Sequence, residues 1–490
     1  MSVDVIAKLR QGAARAGRIW MRASDGRVVS YADLLAETGR FANALVGFGV
    51  GRGDRVLVQV EKCEAVLTLY LACMRLGAVF LPVNPGYTAA ETAHFVSDAE
   101  PVLAIVEAAR QTSVAGAVTL GEFVAQAAAA LPEFGDAATG PDDLAAILYT
   151  SGTTGRSKGV MLSRGNLASN AEALVALWRF TEADVLLHAL PVFHTHGLFV
   201  ATNCVLYSGA SMVFQRGFVP GAVLAALPDA SVFKGVPTFY ARLLAEPQLS
   251  PAAVAGVRLF ISGSAPLSPA THAEWAERTG QVILERYGMT ETGMITSNPC
   301  EGARKAGTVG LPLPGVAVRI AGAGGEVLGP DEAGAIEVKG PNVFQGYWRM
   351  PVETAREFRE GWFVTGDLGA RDAGGYLRSL GRAKDLIITG GLNVYPAEVE
   401  VALDALPGVV ASAVIGVPHA DFGEAVVACV VVRPGTEPEA LRAALRDRLA
   451  AFKIPKRIVV LPDLPRNAMG KVQKADLRRS NAELFSRAGE

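Results

Sequence analysis

The chain has 490 residues, of which 50% are hydrophobic and 19% are charged, with 46 Lys and Arg against 48 Asp and Glu. This length exceeds what one hydrophobic core serves, so we expect at least two domains. The near balance of charge argues against a nucleic-acid or acidic-membrane partner and favours small-molecule partners. The five cysteines have no disulfide or metal-site spacing, and no run reaches the ~18 apolar residues of a membrane span, so we expect a soluble, cytoplasmic protein without an export signal.

Helical and strand patterns alternate through residues 1–290. A helix begins after Ser30, whose hydroxyl together with Asp33 three residues on is typical of a capping box, and a β-rich strand follows from Arg55. Further Val- and Ile-rich runs, such as "SVFKGV", "VRLFISG" and "QVILERYG", alternate with helical segments. This alternation predicts a mainly parallel sheet covered by helices.

The pattern changes in the last third of the chain. From about Lys305 short strands with glycine turns indicate a β-rich lobe, and after "GRAKDLIITGG" two strands between helical segments indicate a small α+β unit. We therefore predict an α/β protein with two domains. The large, multi-lobed N-terminal domain covers residues 1–383, with mainly parallel sheets plus the β-rich lobe, and the small α+β C-terminal domain covers residues 384–490.

A glycine- and hydroxyl-rich string, "YTSGTTGRSKGV", follows the apolar run "LAAIL". Glycine allows positive φ and close backbone approach, and hydroxyls with backbone N–H groups suit phosphate oxygens. The glycine spacing differs from that of a P-loop, so a P-loop kinase or ATPase is disfavoured, and a polar surface turn is the plain alternative. We predict a phosphate-binding turn formed by Thr150, Ser151, Gly152, Thr153, Thr154, Gly155 and Lys158.

This string resembles the phosphate-binding signature of the adenylate-forming acyl-CoA synthetases, which are related to luciferases and peptide-synthetase adenylation domains. The resemblance continues in order through "FHTHG", "YGMTET", "GYW", "WFVTGD", "GRAKDLIITGGLNVYPAEVE" and "PRNAMGKV", and so covers nearly the whole chain. One departure is Ser157, where the family commonly has proline before the lysine. The resemblance implies a ligase that uses ATP and Mg²⁺, forms an acyl-adenylate and transfers the acyl group to CoA.

The resemblance also implies a nucleotide site built from distant motifs. In "YGMTET", Tyr287 would flank the adenine, Thr290 would contact the α-phosphate or the acyl-adenylate, and Glu291 would help to hold Mg²⁺, a cation that prefers oxygen ligands. Asp367 would accept hydrogen bonds from the ribose hydroxyls. Read singly, these residues would be solvated turns. The implied set is completed by Gly288, Met289 and Arg382.

A further group of implied residues serves the change between two half-reactions. Lys471, in "PRNAMGKV", would meet the negative charge that develops during adenylation, although its composition alone is that of a solvated basic tail. Lys384 matches the hinge about which the family's C-terminal domain rotates, and Gly390 and Gly391 fall where the family opens a path for the CoA thiol. Acetylation of Lys471 by a lysine acetyltransferase, reversed by a deacetylase, would switch the enzyme off.

The acid that is activated is predicted from the residue before the nucleotide motif. In the family this position faces the acyl substrate, and here it is Arg286, a cation that would be costly beside an apolar chain. A short dicarboxylate would supply the partner through its far carboxylate, unless Arg286 pairs with Glu285 or another internal acid. His194 would gate the reacting carboxylate or donate a hydrogen bond to it. The other residues predicted to line the acid pocket are His196, Arg242, Ser262 and Gly263.

Several strings, among them "LERYGMTETGMITSNP" and "ISGSAPL", look especially like the malonyl-CoA synthetases, which accept malonate and often methylmalonate. We therefore predict the conversion of malonate, ATP and CoA to malonyl-CoA, AMP and pyrophosphate. One alternative is a synthetase for another short-chain carboxylic acid. The other is a nucleotide-binding or carrier-loading module that keeps the fold without CoA chemistry.

Overall fold

The computed structural model describes residues 4–150, 157–419, 421–467 and 470–485. Within these residues the chain forms four β-sheets with helices around them. Five residues of the predicted phosphate-binding turn lie outside the described residues, namely Ser151, Gly152, Thr153, Thr154 and Gly155. No helix of the described part is both long and apolar enough to cross a bilayer.

The first sheet is parallel through its centre and antiparallel at one side. Its strands, in spatial order, are β18 (Gly346–Tyr347), β8 (Lys158–Ser163), β7 (Leu144–Thr150), β4 (Val79–Pro82), β3 (Arg55–Gln59), β5 (Leu103–Val106) and β6 (Val118–Thr119). The predicted phosphate-binding turn connects the antiparallel pair β7 and β8, with Thr150 opposite Lys158.

The second sheet carries the predicted acid pocket. Its strands, in spatial order, are β15 (Leu311–Pro312), β14 (Gly293–Ser297), β13 (Leu284–Met289), β12 (Leu259–Ser262), β11 (Val232–Gly235), β9 (Val185–His188), β10 (Ser211–Phe214), β1 (Ile19–Arg22) and β2 (Val28–Ser30). Pairing is parallel from β13 to β1, and β13 pairs antiparallel with β14 on its other edge.

Two smaller sheets follow along the chain. The third is antiparallel and consists of β16 (Ala317–Ala321), β17 (Gly334–Lys339), β20 (Trp362–Arg371) and β19 (Phe358–Arg359), with β21 (Leu377–Arg382) also paired to β20. The fourth consists of β23 (Leu392–Val394), β22 (Ile387–Thr389), β25 (Gly423–Val432) and β24 (Val409–His419), with β26 (Arg457–Val460) parallel to β25.

Helices cover these sheets. They are α1 (Val5–Ala13), α2 (Tyr31–Gly47), α3 (Glu64–Leu76), α4 (Ala89–Ala99), α5 (Leu120–Ala129), α6 (Arg164–Leu177), α7 (Thr202–Ser208), α8 (Pro220–Ala226), α9 (Pro237–Leu244), α10 (Pro269–Thr279), α11 (Pro351–Arg356), α12 (Pro396–Asp404), α13 (Pro438–Ala444) and α14 (Lys474–Ser480). A π-helix at His196–Ala201 leads directly into α7.

Local signals in the sequence determine these elements. The side chain of Ser30 accepts a hydrogen bond from the backbone N–H of Asp33, whose carboxylate accepts one back from the Ser30 N–H, so the predicted capping box begins α2. The predicted strand begins at Arg55 as β3. The predicted fold class is confirmed, because mainly parallel sheets form a large N-terminal part and a separate apolar core lies beneath the fourth sheet.

The C-terminal region departs from its predicted elements in two places. The pattern of "EPEALRAALRDRLAAF" predicts one helix, but the α-helix ends at Ala444 and two short 3₁₀ turns follow. The basic tail contains a helix, α14, whose buried Leu477 packs on the face of β24 and β25. Only one of its seven residues is buried, so helical periodicity gives little signal.

Candidate active site

Strand β13 brings the predicted acid-binding residue beside a glycine. Strands β12 and β13 run parallel with Ser262 opposite Glu285, so Gly263 comes next to Arg286. A Cβ atom at Gly263 would lie 2.4 Å from the Cζ atom of Arg286. The guanidinium therefore lies across the backbone of Gly263, in space that any side chain at this position would occupy.

The guanidinium of Arg286 is buried and has no acidic partner among the described residues. Arg286 is only 3% exposed. Its Nε and Nη2 atoms have no hydrogen-bond acceptor within the described part of the chain. Burial lowers the pKa of Arg286 to about 9, so it remains a cation at neutral pH. Unpaired buried charge is unstable unless a ligand neutralises it.

Glu285 does not serve as that partner. Successive residues of a strand point to opposite faces, so its carboxyl group projects away from the guanidinium of Arg286. Its Oε1 atom is itself buried without a hydrogen-bond donor, and burial raises the pKa of Glu285 to about 8. The internal ion pair considered as an alternative from the sequence is absent from the described residues.

Two histidines lie near enough to Arg286 for its charge to lower the pKa of both. The backbone N–H of His196 donates to Nδ1 of His194 at 3.1 Å, so the proton of the neutral His194 ring is on Nε2. His196 is fully buried, and its Nδ1 atom lies 3.2 Å from Ser264 Oγ. Its Nε2 atom has no partner in the described structure, and the buried Ser262 Oγ has none either. Ser262 is opposite Glu285 and shares its face of the sheet, so only the unpartnered His196 nitrogen is suited to a polar ligand beside Arg286.

Both imidazoles are neutral. Burial lowers the pKa of His194 to about 4, with further contributions from Arg286 and Lys471, and burial places the pKa of His196 well below its ordinary value. Arg286 also lowers the pKa of His196. Both rings can therefore donate or accept hydrogen bonds at neutral pH without adding charge.

Three of the predicted nucleotide residues meet although they come from three strands. The hydroxyl of Tyr287 donates to Oδ2 of Asp367, and Nε of Arg382 lies 2.9 Å from Oδ1 of the same carboxylate. Asp367 and Arg382 are opposite each other on β20 and β21. Gly288 and Met289 continue β13, and the half-buried Thr290 follows them at the strand end.

Glu291 is linked to Lys158 through an aromatic ring. The buried Glu291 carboxylate accepts a hydrogen bond of 3.2 Å from Tyr347 Oη. The ammonium of Lys158 lies 4.5 Å from the centroid of the Tyr347 ring and 3.2 Å from Glu357 Oε1. The "GYW" motif pointed to Tyr347, whereas nothing in the sequence pointed to Glu357. Burial raises the pKa of Glu291.

Glu291 is the carboxylate that the sequence predicts for a cation in this region, and Glu357 lies near enough to raise its pKa. Among the described residues no group of three or more His, Cys, Asp or Glu could hold a metal ion. Mg²⁺ commonly takes one or two carboxylates and completes its octahedron with water and substrate phosphates. Glu291 beside the phosphate-binding strands therefore fits Mg²⁺ bound together with a nucleotide, and does not fit a metal held by protein alone.

Lys471 reaches the site from the C-terminal part of the chain. It follows Gly470, which has φ +74° and lies where a Cβ atom would be 2.7 Å from Thr238 Oγ1 at the start of α9. Desolvation and neighbouring Arg382 lower the pKa of Lys471, while Asp367 opposes this shift. The ammonium thus lies near enough to Arg382, Asp367 and His194 to interact with each electrostatically, and it helps to lower the pKa of His194.

The remaining predicted residues lie at the periphery of the candidate site. Arg242 is exposed on α9, with its guanidinium 5.2 Å from the centroid of the Phe218 ring, and it makes no contact with Arg286 in the described structure. Lys384 is exposed in a 3₁₀ turn between the third and fourth sheets. The next residue, Asp385, forms an ion pair of 2.7 Å with Arg478 of α14, a contact that the sequence did not predict.

Gly390 and Gly391 form the tip of the hairpin between β22 and β23. Both have positive φ, +56° and +78°, which L-residues rarely adopt. The backbone N–H of Gly390 donates to the carbonyl of Phe422 at 2.8 Å, which joins the hairpin to the turn before β25. The tip is exposed.

The fold, and the residues that it brings together at this candidate site, are those of an adenylate-forming ligase. Residues 9–348 match the family model "AMP-binding enzyme", and residues 398–471 match "AMP-binding enzyme C-terminal domain". The chain belongs to this family of acyl-CoA ligases, and it is an AMP-forming acid–thiol ligase with ATP and CoA as substrates. The resemblance stated from the sequence is confirmed.

Known proteins resemble the chain along nearly all of its length. It is 38% identical to a feruloyl-CoA synthase of Amycolatopsis sp over 93% of this chain and 94% of that protein. It is 33% identical to the malonate–CoA ligase of Arabidopsis thaliana, over 93% and 85% of the two chains. The crystal structure of ATP-bound MatB from Rhodopseudomonas palustris superposes with a TM-score of 0.96 at 49% identity, covering 99% of this chain and 100% of that one.

Proposed function

We propose that this ligase is a malonyl-CoA synthetase, which converts malonate and ATP to malonyl-adenylate and pyrophosphate and then transfers the malonyl group to CoA with release of AMP. The observation that carries the proposal is the buried guanidinium of Arg286 with no acidic partner among the described residues. The far carboxylate of malonate would neutralise it through a charge-assisted, bidentate hydrogen bond. Methylmalonate offers the same carboxylate and is the second expected substrate.

Similarity over the whole chain does not decide which acid is used. MatB, a malonyl-CoA synthetase, and the malonate–CoA ligase of Arabidopsis thaliana favour malonate, but a feruloyl-CoA synthase is more similar in sequence than the latter. A feruloyl chain has no anion at its far end. It would leave Arg286 buried and unpaired, at a cost of several kcal/mol. The acid pocket therefore supports malonate where the names of the relatives differ.

On the nucleotide side, we assign Asp367 to the ribose hydroxyls, because each of its carboxylate oxygens has a second lone pair beyond those used by Tyr287 and Arg382. The Tyr287 ring would flank the adenine. Thr150, Thr290 and Lys158 would contact phosphate oxygens, which requires Lys158 to exchange its contact with Glu357 for the nucleotide. Glu291 would hold Mg²⁺, which when bound neutralises phosphate charge.

On the acid side, the neutral His194 would donate a hydrogen bond from Nε2–H to the reacting carboxylate and orient it. Lys471 would stabilise the negative charge that develops as this carboxylate attacks the α-phosphate, an electrostatic role worth about 10²–10³ in rate. Its location beside Asp367, Arg382 and His194 supports this role. At the far carboxylate, His196 Nε2 would add a hydrogen bond to those of Arg286, whereas Ser262, opposite Glu285, lies on the other face of the sheet.

The second half-reaction, transfer of the acyl group to CoA, requires Lys471 to leave the adenylation site. We propose that residues 384–490 rotate as a unit about Lys384 and bring the hairpin tip at Gly390 and Gly391 to the path of the CoA thiol. The same lysine is the proposed target of an acetyltransferase and a deacetylase, since acetylation would remove its charge. These roles follow the resemblance to the family.

Acid-dependent exchange of pyrophosphate into ATP tests the proposal. Purified enzyme would be assayed with malonate, methylmalonate, acetate and butyrate, and CoA thioester formation would then be measured with the acid that supports exchange. We expect malonate to be the best acid and malonyl-CoA to form. Butyrate or acetate equal to malonate would favour a synthetase for another short acid, and exchange without a thioester would favour a module lacking CoA chemistry.

A further inference from the structure

A second cation, Lys234, is buried behind the acid pocket. Lys234 lies on β11 and is 0% exposed. Its ammonium donates to the carbonyl of Val200 at 2.9 Å and lies 4.6 Å and 4.9 Å from the ring centroids of Trp178 and Phe180. It also contacts the Cys204 thiol, and no described acidic side chain pairs with it. A lysine fixed in this way cannot turn out to solvent.

Lys234 and Arg286 project from the same face of the second sheet. The parallel register places Lys234 opposite Ile261 and Ile261 opposite Leu284. Leu284 and Arg286 are two residues apart on β13, so their side chains share a face. Lys234 and β13 are thus separated by two inter-strand spacings, about 10 Å.

The charges on this face are all positive. Arg286 lowers the pKa of Lys234, and both cations lower the pKa of the intervening His196. Cys204 and His188 are the other titratable groups that face Lys234, and Lys62 lies beyond His188 at 3.1 Å from its Nδ1. No described carboxylate enters this group, so a bound anion is the available source of compensation.

We propose that Lys234 is a specificity-determining residue, which makes the acid pocket select acids that have a negative charge at the end far from the reacting carboxylate. This inference rests on the proposed function and deepens it. Arg286 would touch the far carboxylate directly, whereas Lys234 would act on it through space and hold no contact with it. An acid with a neutral far end would leave both cations uncompensated and would be rejected more strongly than by Arg286 alone.

The proposal predicts a proton linkage. Burial lowers the pKa of Lys234 to about 8, whereas a dianion bound nearby would raise it. Malonate binding at pH 8 should therefore be accompanied by proton uptake. The contribution of Lys234 to affinity is fully present below pH 8 and is lost as the pH rises through the higher pKa of Lys234 in the malonate complex.

Two variants separate charge from positioning. Lys234→Gln removes the charge but keeps an N–H donor for Val200, which belongs to the π-helix that begins with His196. Lys234→Met removes both the charge and the donor. Lys62→Met is the matched control, since Lys62 is also a buried lysine that donates to a carbonyl and lies over an aromatic ring, but it faces His188.

The first measurement is kcat/KM for malonate and for malonamate, which has the same size and a neutral far end. The second is calorimetry of malonate binding at pH 7 and pH 9, in buffers of different ionisation enthalpy. We expect the malonate-to-malonamate ratio of kcat/KM to fall about tenfold in both Lys234 variants. This is the order of the effect that one charge has at ~10 Å when the effective dielectric constant is about 20. We also expect both to lose the proton uptake. Lys62→Met should keep the wild-type ratio.

Two results would overturn this inference alone. If Lys234→Gln kept the wild-type malonate-to-malonamate ratio and the proton uptake, the charge of Lys234 would have no part in selectivity. If kcat/KM fell equally for both acids, the role of Lys234 would be purely one of positioning. Thermal unfolding of each variant separates either result from a folding defect. If the wild-type enzyme preferred malonamate to malonate, the proposed function would fail as well, and the two failures are thereby distinguished.

Discussion

The guanidinium of Arg286 occupies the space that a side chain at residue 263 would need, since a Cβ atom at Gly263 would lie 2.4 Å from Arg286 Cζ. We therefore predict that Gly263→Ala displaces the guanidinium and lowers kcat/KM for malonate by about 10²-fold, as misplacement of about 1 Å does in other sites. Gly263 does not have positive φ, so the effect would be steric. Gly217→Ala, where a Cβ meets nothing within 4 Å, is the control. Equal activities of the two variants would contradict the assignment.

The hydroxyl of Tyr287 positions the carboxylate assigned to ribose. Tyr287→Phe removes the donor to Asp367 while the ion pair from Arg382 remains, so we expect a KM for ATP raised several-fold, in line with about 1 kcal/mol for one hydrogen bond. Steady-state kinetics at saturating malonate measures it. Tyr376→Phe, which removes a donor to the carbonyl of Ala303, should leave this KM unchanged. A shift in the KM for malonate instead would contradict the assignment.

Lys471 should matter more for the first half-reaction than for the second. Lys471→Ala is expected to lower malonate-dependent pyrophosphate exchange by about 10²–10³-fold and to leave thioester formation from supplied malonyl-adenylate nearly intact. The control is Lys474→Ala, which loses an ion pair to Glu400 outside the site. Exchange that survives Lys471→Ala, or enzymatic acetylation of Lys471 without effect, would refute the role.

Glu285 should make stability fall with rising pH. Burial raises the pKa of Glu285 to about 8 in the folded protein, above the value of about 4.3 for an unfolded chain. Between these values the folded state binds one proton more than the unfolded state, so the free energy of unfolding decreases as pH rises from about 4.3 to 8. Glu285→Gln should remove this decrease and raise the melting temperature at pH 9 relative to wild type. An unchanged slope between pH 5 and pH 9 would contradict it.

The motif residues of the site were predictable because they lie in short sequence motifs whose residue types indicate their chemistry. Tyr287, Asp367 and Arg382 come from three strands, and the ordered motifs predicted that they serve one nucleotide before any contact was known. Their actual link, a tyrosine hydroxyl donating to the carboxylate, is a matter of packing and could not be read from the strings. The same holds for the ring of Tyr347 between Glu291 and Lys158.

Residues without a motif were missed. Lys234 lies in the run "SVFKGV", where one lysine among apolar residues looks like the polar face of a strand, and only the parallel register shows that this face is buried. Gly263 was predicted in the pocket floor, but its part in making room for Arg286 depends on the alignment of β12 and β13. The domain boundary at residues 383 and 384 stays a prediction.

The account depends most on the pairing of Arg286 with the far carboxylate of the acid. The most direct test is the ratio of kcat/KM for malonate to that for malonamate, in the wild-type enzyme and in Arg286→Met. We predict a wild-type ratio of about 10³ or more, since a buried polar group left unpaired is strongly rejected, and a ratio within about tenfold of unity in Arg286→Met. A ratio that is the same in both enzymes would contradict the pairing.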